Sequence, residues 1–238
     1  MHRALAPTGS QQKTPVSTKN RILSRLSAAD TALLKPDLES VDLPLRYVLE
    51  VPNEPITHSY FIENGLASTF AGNKHKRIQV GLIGCDGMTG IPIVLGNDRS
   101  PNETFMQVAG DGRRIAVDKL RAAISQSRSL ELALLDFTHA FMIQTSSTAL
   151  SNGTGTLEER LARWLLMAND RLGGDEVPLT HEFLSLMLGV RRAGVTVALH
   201  YLERRAVIRL ARKQIMITDR KGLEAAANGT YHTPEKKA

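Results

Sequence analysis

Near Asp118 the sequence changes its period. From Val41 to about Val117 it runs in short apolar or alternating segments, such as Tyr47-Val48-Leu49, Ser59-Tyr60-Phe61-Ile62 and Ile78-Gln79-Val80. Pro52-Asn53, Asn64-Gly65, Gly72-Asn73, Gly84, Gly87, Gly90 and Gly96-Asn97-Asp98 divide them. Strands this closely spaced predict an antiparallel roll or sandwich and not alternating βα units. Ahead of them, Ile22, Leu23, Leu26 and Leu33 predict a short helix from Asn20 to about Leu34. The polar stretch 1–19 reads as a tail.

Beyond Asp118 the spacing is helical. Leu130, Leu134, Phe137, Phe141, Gln144 and Thr148 recur at intervals of four and three, a heptad-like seam that calls for a partner helix. Either a second copy or the chain's own strands can supply it, and Leu135 and Met142 add a second apolar stripe. Pairing with a second copy is the favoured expectation. Ser151-Asn152-Gly153-Thr154-Gly155 reads as a break. Thr156-Leu157-Glu158-Glu159 then caps a new helix, which runs through Leu161, Trp164, Leu165 and Met167 and ends at Gly173-Gly174.

The stretch from Leu179 to Ile217 carries the most chemistry. Thr180 can cap a helix from His181 to Leu188, and Gly189 permits a tight turn with positive φ. A second helix from about Arg191 to Arg204 turns Val195, Leu199 and Leu202 inward and Arg192, Thr196 and His200 outward. Two helices joined this way are a helix-turn-helix, whose second helix fits the major groove of DNA. Ala206-Val207-Ile208-Arg209 and Gln214-Ile215-Met216-Ile217 flank a basic tip at Arg212 and Lys213, a wing placed to meet phosphate.

Charge agrees with this placement. Residues 189–221 hold nine basic residues against Glu203 and Asp219, an excess that exceeds the net +6 of the whole chain. A polyanionic partner follows, nucleic acid before a membrane surface. No apolar run approaches the ~18 residues of a membrane span. Cys85 is the single cysteine, so a cysteine-held zinc or iron–sulfur site is excluded. Gly84-Cys85-Asp86-Gly87-Met88-Thr89-Gly90 fits neither the dinucleotide nor the P-loop pattern, and no zincin or nucleophile-elbow motif occurs.

The segments Leu179 to Arg192 and Leu202 to Ile208 resemble the winged helix-turn-helix of Crp/Fnr transcription regulators, and Tyr60-Phe61-Ile62-Glu63-Asn64-Gly65 is similar to a strand-turn motif of their sensor domain. The resemblance spans roughly residues 20–222. It implies an α+β fold: an N-terminal antiparallel β-roll of cupin-like jelly-roll type (20–118), a long dimerisation helix (119–152) and a C-terminal winged helix-turn-helix (153–222), with tails at 1–19 and 223–238. It further implies a cytoplasmic homodimer on a roughly palindromic operator, with RNA polymerase as a further partner and no catalytic role. Arg192 matches the arginine that reads guanine in this family, His181 a position that touches phosphate, and Arg191 and Thr196 lie on the same helix. Ala193 and Val197 depart from the catabolite-activator pattern, so a different operator is expected.

In the sensor, the resemblance places an effector pocket at Met88, Thr89, Glu103, Thr104, Thr145 and Ser146. Met88 stands where cyclic-nucleotide members have an acid, and Glu103 where they have the phosphate-binding arginine. A carboxylate there repels a cyclic phosphate, so cyclic AMP is not the expected effector unless Arg99 supplies the cation in a shifted register. No cofactor is expected, and an unknown small effector stays open. His58, His75 and His139 qualify as haem ligands by residue type alone, and Cys85 as a redox thiol. The alternatives to a DNA-binding regulator are a sensor or scaffold working through protein contacts, and a cysteine-dependent enzyme.

Overall fold

The computed structural model describes residues 18–73, 76–212 and 214–231. Lys213, His75 and residues 1–17 and 232–238 lie outside them. The first helical stretch is two helices, α1 (Arg21–Arg25) and α2 (Ala28–Leu34), and not one. Ser27 breaks it: its hydroxyl accepts from the Asp30 amide and starts a new helix.

Strands β1 (Glu39–Leu43), β2 (Val48–Glu50), β3 (His58–Gly72), β4 (Arg77–Ile83) and β5 (Glu103–Ala116) form one antiparallel sheet. Its order is β1-β5-β3-β4, with β2 also on β5. Asn64-Gly65 does not end a strand. β3 runs through it, and the register against β5 shifts at Ile62, Asn64 and Leu66, because bulges absorb the extra residues and bend the strand. The two strands approach closely there: a Cβ on Gly110 would sit 1.9 Å from the Asn64 carbonyl oxygen. Between β4 and β5 lies α3 (Ile91–Val94).

The helical region expected at 119–152 is also divided. α4 (Val117–Gln126) buries Val117, Leu120 and Ala123, and α5 (Arg128–Thr154) starts at Ser127, whose hydroxyl accepts from the Leu130 amide. Asp30 on α2 accepts from the hydroxyls of Ser127 and Ser129, so the kink is tied to the N-terminal helices. α5 continues through Ser151-Asn152-Gly153, and the break falls only at Gly155.

α6 (Leu157–Leu172) begins with a reciprocal capping box between Thr156 and Glu159 and ends at Gly173 in the left-handed conformation. β6 (Glu176–Val177), α7 (His181–Leu188), α8 (Arg192–Arg204), β7 (Ile208–Ala211), β8 (Gln214–Ile217) and α9 (Arg220–Ala226) complete the chain. The last three strands form a second sheet ordered β6-β8-β7. Residues 223–231 are not a tail. Leu223 and Ala227 are fully buried, and the Tyr231 hydroxyl donates to Asp170 at 2.5 Å.

One hydrophobic core joins the sheet to the C-terminal helices. Leu66, Phe70, Leu82 and Phe105 pack in the same cluster as Trp164 and Leu165 on α6, Leu184 and Met187 on α7, and Leu199 on α8. Two polar links reinforce the junction. Trp164 Nε1 donates to Gln79 Oε1 at 2.6 Å, and Arg171 pairs with Asp86 at 2.8 Å with the arginine side chain 2% exposed.

The seam of α5 faces this same chain, which corrects the expectation that Leu130, Leu134, Phe137 and Phe141 form an open dimer face. Leu130 and Leu134 are fully buried, Phe137 and Phe141 pack on the sheet's clusters, and Gln144 bonds the Leu82 backbone in both directions. On the opposite side of the helix, Leu132, Ile143 and Leu150 stand exposed. They are 11 and 7 residues apart, which places them on one line at 100° per residue. Met142, from the second stripe, is 59% exposed beside them.

Candidate nucleic-acid interface

The Thr180 hydroxyl accepts from the Phe183 amide and starts α7, and Gly189 ends it at φ +64°. Arg191 is extended and opens α8. The axes of α7 and α8 meet at 105°, inside the range of about 90–120° for a helix-turn-helix. Val195, Ala198, Leu199 and Leu202 bury one face of α8 in the common core, leaving Arg191, Arg192, Ala193, Val197 and His200 exposed.

Thr196 Oγ1 donates to the Arg192 carbonyl and meets His181 Nδ1 at 3.1 Å, so α7 and α8 are linked beneath the exposed face. Burial holds His181 below the usual histidine pKa, and the neighbouring Arg192 and His200 add to the effect. The shift favours the uncharged imidazole. His200 Nδ1 lies 3.2 Å from Glu203 Oε2, while Glu203 Oε1 accepts from the Leu210 amide. Glu203 thus ties the wing strand β7 to α8, and the Leu210 amide and His200 hold its carboxyl below the ordinary glutamate value. Arg212 is exposed at the wing tip, and Lys213 falls outside the described residues.

Two further exposed groups lie in the same region, of which only Tyr201 was not singled out from the sequence. Val197 is 63% exposed, an apolar surface suited to a thymine methyl. Tyr201, four residues on, carries the Arg205 guanidinium 5.8 Å from its ring. The four-residue spacing from Ala193 through Val197 to Tyr201 was the available signal.

Residues 159–226 match the model of the Crp-like helix-turn-helix domain. This part of the chain is similar to that domain family. Residues ahead of it join it in a chain with the same overall fold as solved Crp/Fnr-family structures. A structure of a Crp/Fnr-family regulator from Eubacterium rectale aligns with TM-score 0.67 at 18% identity, over 89% of this chain and 99% of that one. FixK2 from Bradyrhizobium japonicum gives 0.70 at 16% identity over 79% and 96%, and TTHA1359 from Thermus thermophilus 0.64 at 22% over 81% and 100%. At these identities the likeness is one of fold. A search of curated proteins gives no significant match.

Ahead of the Crp-like domain, the residues expected to line an effector pocket are engaged within the protein. Met88 and Thr89 are fully buried, with Thr89 Oγ1 accepting from the Tyr60 amide and the Thr89 amide donating to the Tyr60 carbonyl. Glu103 pairs with Arg77 at 2.7 Å on the surface. Thr145 and Ser146 donate to the carbonyls of Phe141 and Met142, one turn back on α5. Arg99 does not supply the missing cation. It is exposed, donating to the Asn53 carbonyl and lying 3.7 Å from Asp98.

The group that does face the Gly87–Gly90 turn is Glu50, hidden in the sequence at the end of an ordinary apolar strand. Its Oε1 accepts from the Gly90 amide at 2.6 Å and its Oε2 from the Thr104 hydroxyl at 3.1 Å. Burial raises its pKa, partly offset by these two donors. With the folded value above the unfolded one, the native state binds the proton more tightly, so stability falls as pH rises through the ordinary glutamate range and beyond it. Glu50→Gln can keep the Gly90 bond with its oxygen and donate to Thr104 with its amide. It is expected to raise the midpoint of thermal unfolding at neutral pH and to remove that decline. An unfolding series in pH checks both.

Cys85 is half-buried, and burial pushes its thiol pKa up, away from the reactive thiolate. His58 lies beside Thr57 and His139 is exposed on α5. Among the described residues no cluster of three metal-ligating side chains occurs, and no single helix is long and apolar enough to cross a membrane.

Proposed function

We propose that this chain is a dimeric DNA-binding transcription regulator of Crp/Fnr type whose sensor part does not take cyclic AMP. The observation that carries the reading is the exposed face of α8, where Arg191, Arg192 and Val197 stand free on a helix held at 105° to α7 within a Crp-like domain. Arg192 is the base-reading residue. Arg191, Thr196, His181, His200 and the wing residues Arg212 and Lys213 serve the backbone and flanking bases. Two copies of α8 enter successive major grooves about 34 Å apart on a roughly palindromic site. RNA polymerase is the further partner at the promoter, and the cytoplasm is the place of action.

Dimerisation is assigned to the exposed line Leu132, Ile143 and Leu150 with Met142, on a helix of 27 residues, long enough at 1.5 Å per residue for about 40 Å of paired seam. Leu150→Glu with Met142→Glu places desolvated charge in that seam. It is expected to convert the dimer to monomer in sedimentation, while circular dichroism stays unchanged.

The test of function is a titration of the protein with a duplex from its own upstream region and a scrambled duplex, at 50 and 200 mM salt, with and without cyclic AMP. Expected is selective binding that weakens by about 10³-fold or more across that salt range, as for proteins making about 6–10 phosphate contacts, and that cyclic AMP does not alter. Equal, salt-insensitive affinity for both duplexes would remove the DNA assignment. Selectivity that required cyclic AMP would overturn the sensor assignment alone.

A further inference from the structure

α6 carries two arginines on one face, Arg160 and Arg163, three residues apart. Both line a cleft where α6 meets α5, α7 and β4, walled by Gln79, Gln144, Trp164 and Met187. Arg163 is 6% exposed. Its Nε donates to the Thr230 carbonyl and its Nη2 to the Gln144 carbonyl. Arg160 donates from Nε to Asn152 Oδ1 and from Nη2 to the Leu188 carbonyl. All four acceptors are neutral.

Among the described residues neither guanidinium forms an ion pair, and the Nη1 of each has no partner. The electrostatics agree: burial pulls Arg163 down to about 10, with Arg171 adding to it, and burial alone lowers Arg160. Two partly desolvated cations without a carboxylate are costly to keep. The one other buried arginine among the described residues, Arg171, is paired with Asp86.

We propose that this cleft is a binding site for a small phosphate-bearing anion held between Arg160 and Arg163. A phosphate carries up to two charges and three acceptor oxygens, enough to meet both forks, whereas a single carboxylate neutralises one. The site is separate from the Gly87–Gly90 turn and from the exposed face of α8. It sits where the first helix of the helix-turn-helix rests on the sheet, so an occupant touches both parts at once. The proposal does not depend on DNA binding.

Trp164 is the only tryptophan and lines the cleft, so its emission reports on the site directly. The full-length protein is titrated with inorganic phosphate and, separately, with glycerol phosphate, at ionic strength held constant with chloride. A saturable change with either supports the site, and whichever binds more tightly distinguishes the free ion from a phosphomonoester. Arg160→Gln and Arg163→Gln are each expected to weaken binding about tenfold or more, from the loss of a charged hydrogen bond. Arg128→Gln, on the exposed end of α5, leaves it unchanged. Arg160 is the less buried of the two, so its variant keeps the test open if Arg163→Gln misfolds. No saturable change, the same change with acetate or chloride, or an undiminished change in folded Arg160→Gln would each overturn the proposal.

Discussion

Asp86→Ala is expected to destabilise the folded protein by about 3–5 kcal/mol, the range for stripping the partner from a buried charge. Arg171 is 2% exposed, its Nη1 donates to the Met167 carbonyl, its Nη2 lies 2.8 Å from Asp86, and its Nε has no partner. Without the carboxylate the guanidinium stays buried and uncompensated, since its side chain is wedged against Gly84, whose Cβ would come within 2.6 Å of it. Denaturant unfolding followed by circular dichroism measures the loss. Arg171→Met with Asp86→Ala removes both charges together and is expected to recover most of it, because an apolar pair of similar volume is often no worse than the ion pair. A double variant as unstable as the single one would show that the charge is not the cause.

Arg192→Ala is expected to lower the preference for operator over scrambled duplex by about 1–3 kcal/mol, roughly 5- to 150-fold, the discrimination of one bidentate arginine–guanine contact. The side chain is exposed at the first position of α8 and makes no ion pair among the described residues, so folding should be untouched. Binding to scrambled DNA should fall far less than binding to operator. Undiminished selectivity would remove Arg192 from base reading, and an equal loss on both duplexes would reassign it to phosphate.

The helix-turn-helix was legible because local chemistry decides it. Thr180 at an N-cap and Gly189 at a left-handed C-cap bound α7 at the residues read from the sequence, whatever packs around them. Ser27 and Ser127 are caps of the same kind, yet each sits inside an unbroken apolar period, and the period hid the breaks. Asn64-Gly65 misled in the opposite sense. It is turn chemistry inside β3, tolerated because a bulge uses the extra backbone freedom. The face of α5 could not be chosen from periodicity, since apolar lines run down opposite sides of the helix and only the sheet selects one. Glu50, Arg160 and Arg163 were illegible for a related reason. Their chemistry comes from burial by residues distant in the chain, and nothing adjacent in sequence marks it.

The shared core has a consequence for how this chain can be divided. A proteolytic fragment beginning near Thr156 would retain both helices of the helix-turn-helix, but it would bare the faces of Trp164 and Met187 that now rest on Phe70, Leu82 and Phe105. Such a piece would associate or melt early, and the intact chain would melt in one calorimetric transition. The C-terminal part is therefore a poor unit for recombination with a foreign sensor. A replacement would have to reproduce the contoured surface of β3 and β4 as well as the junction at Gly155.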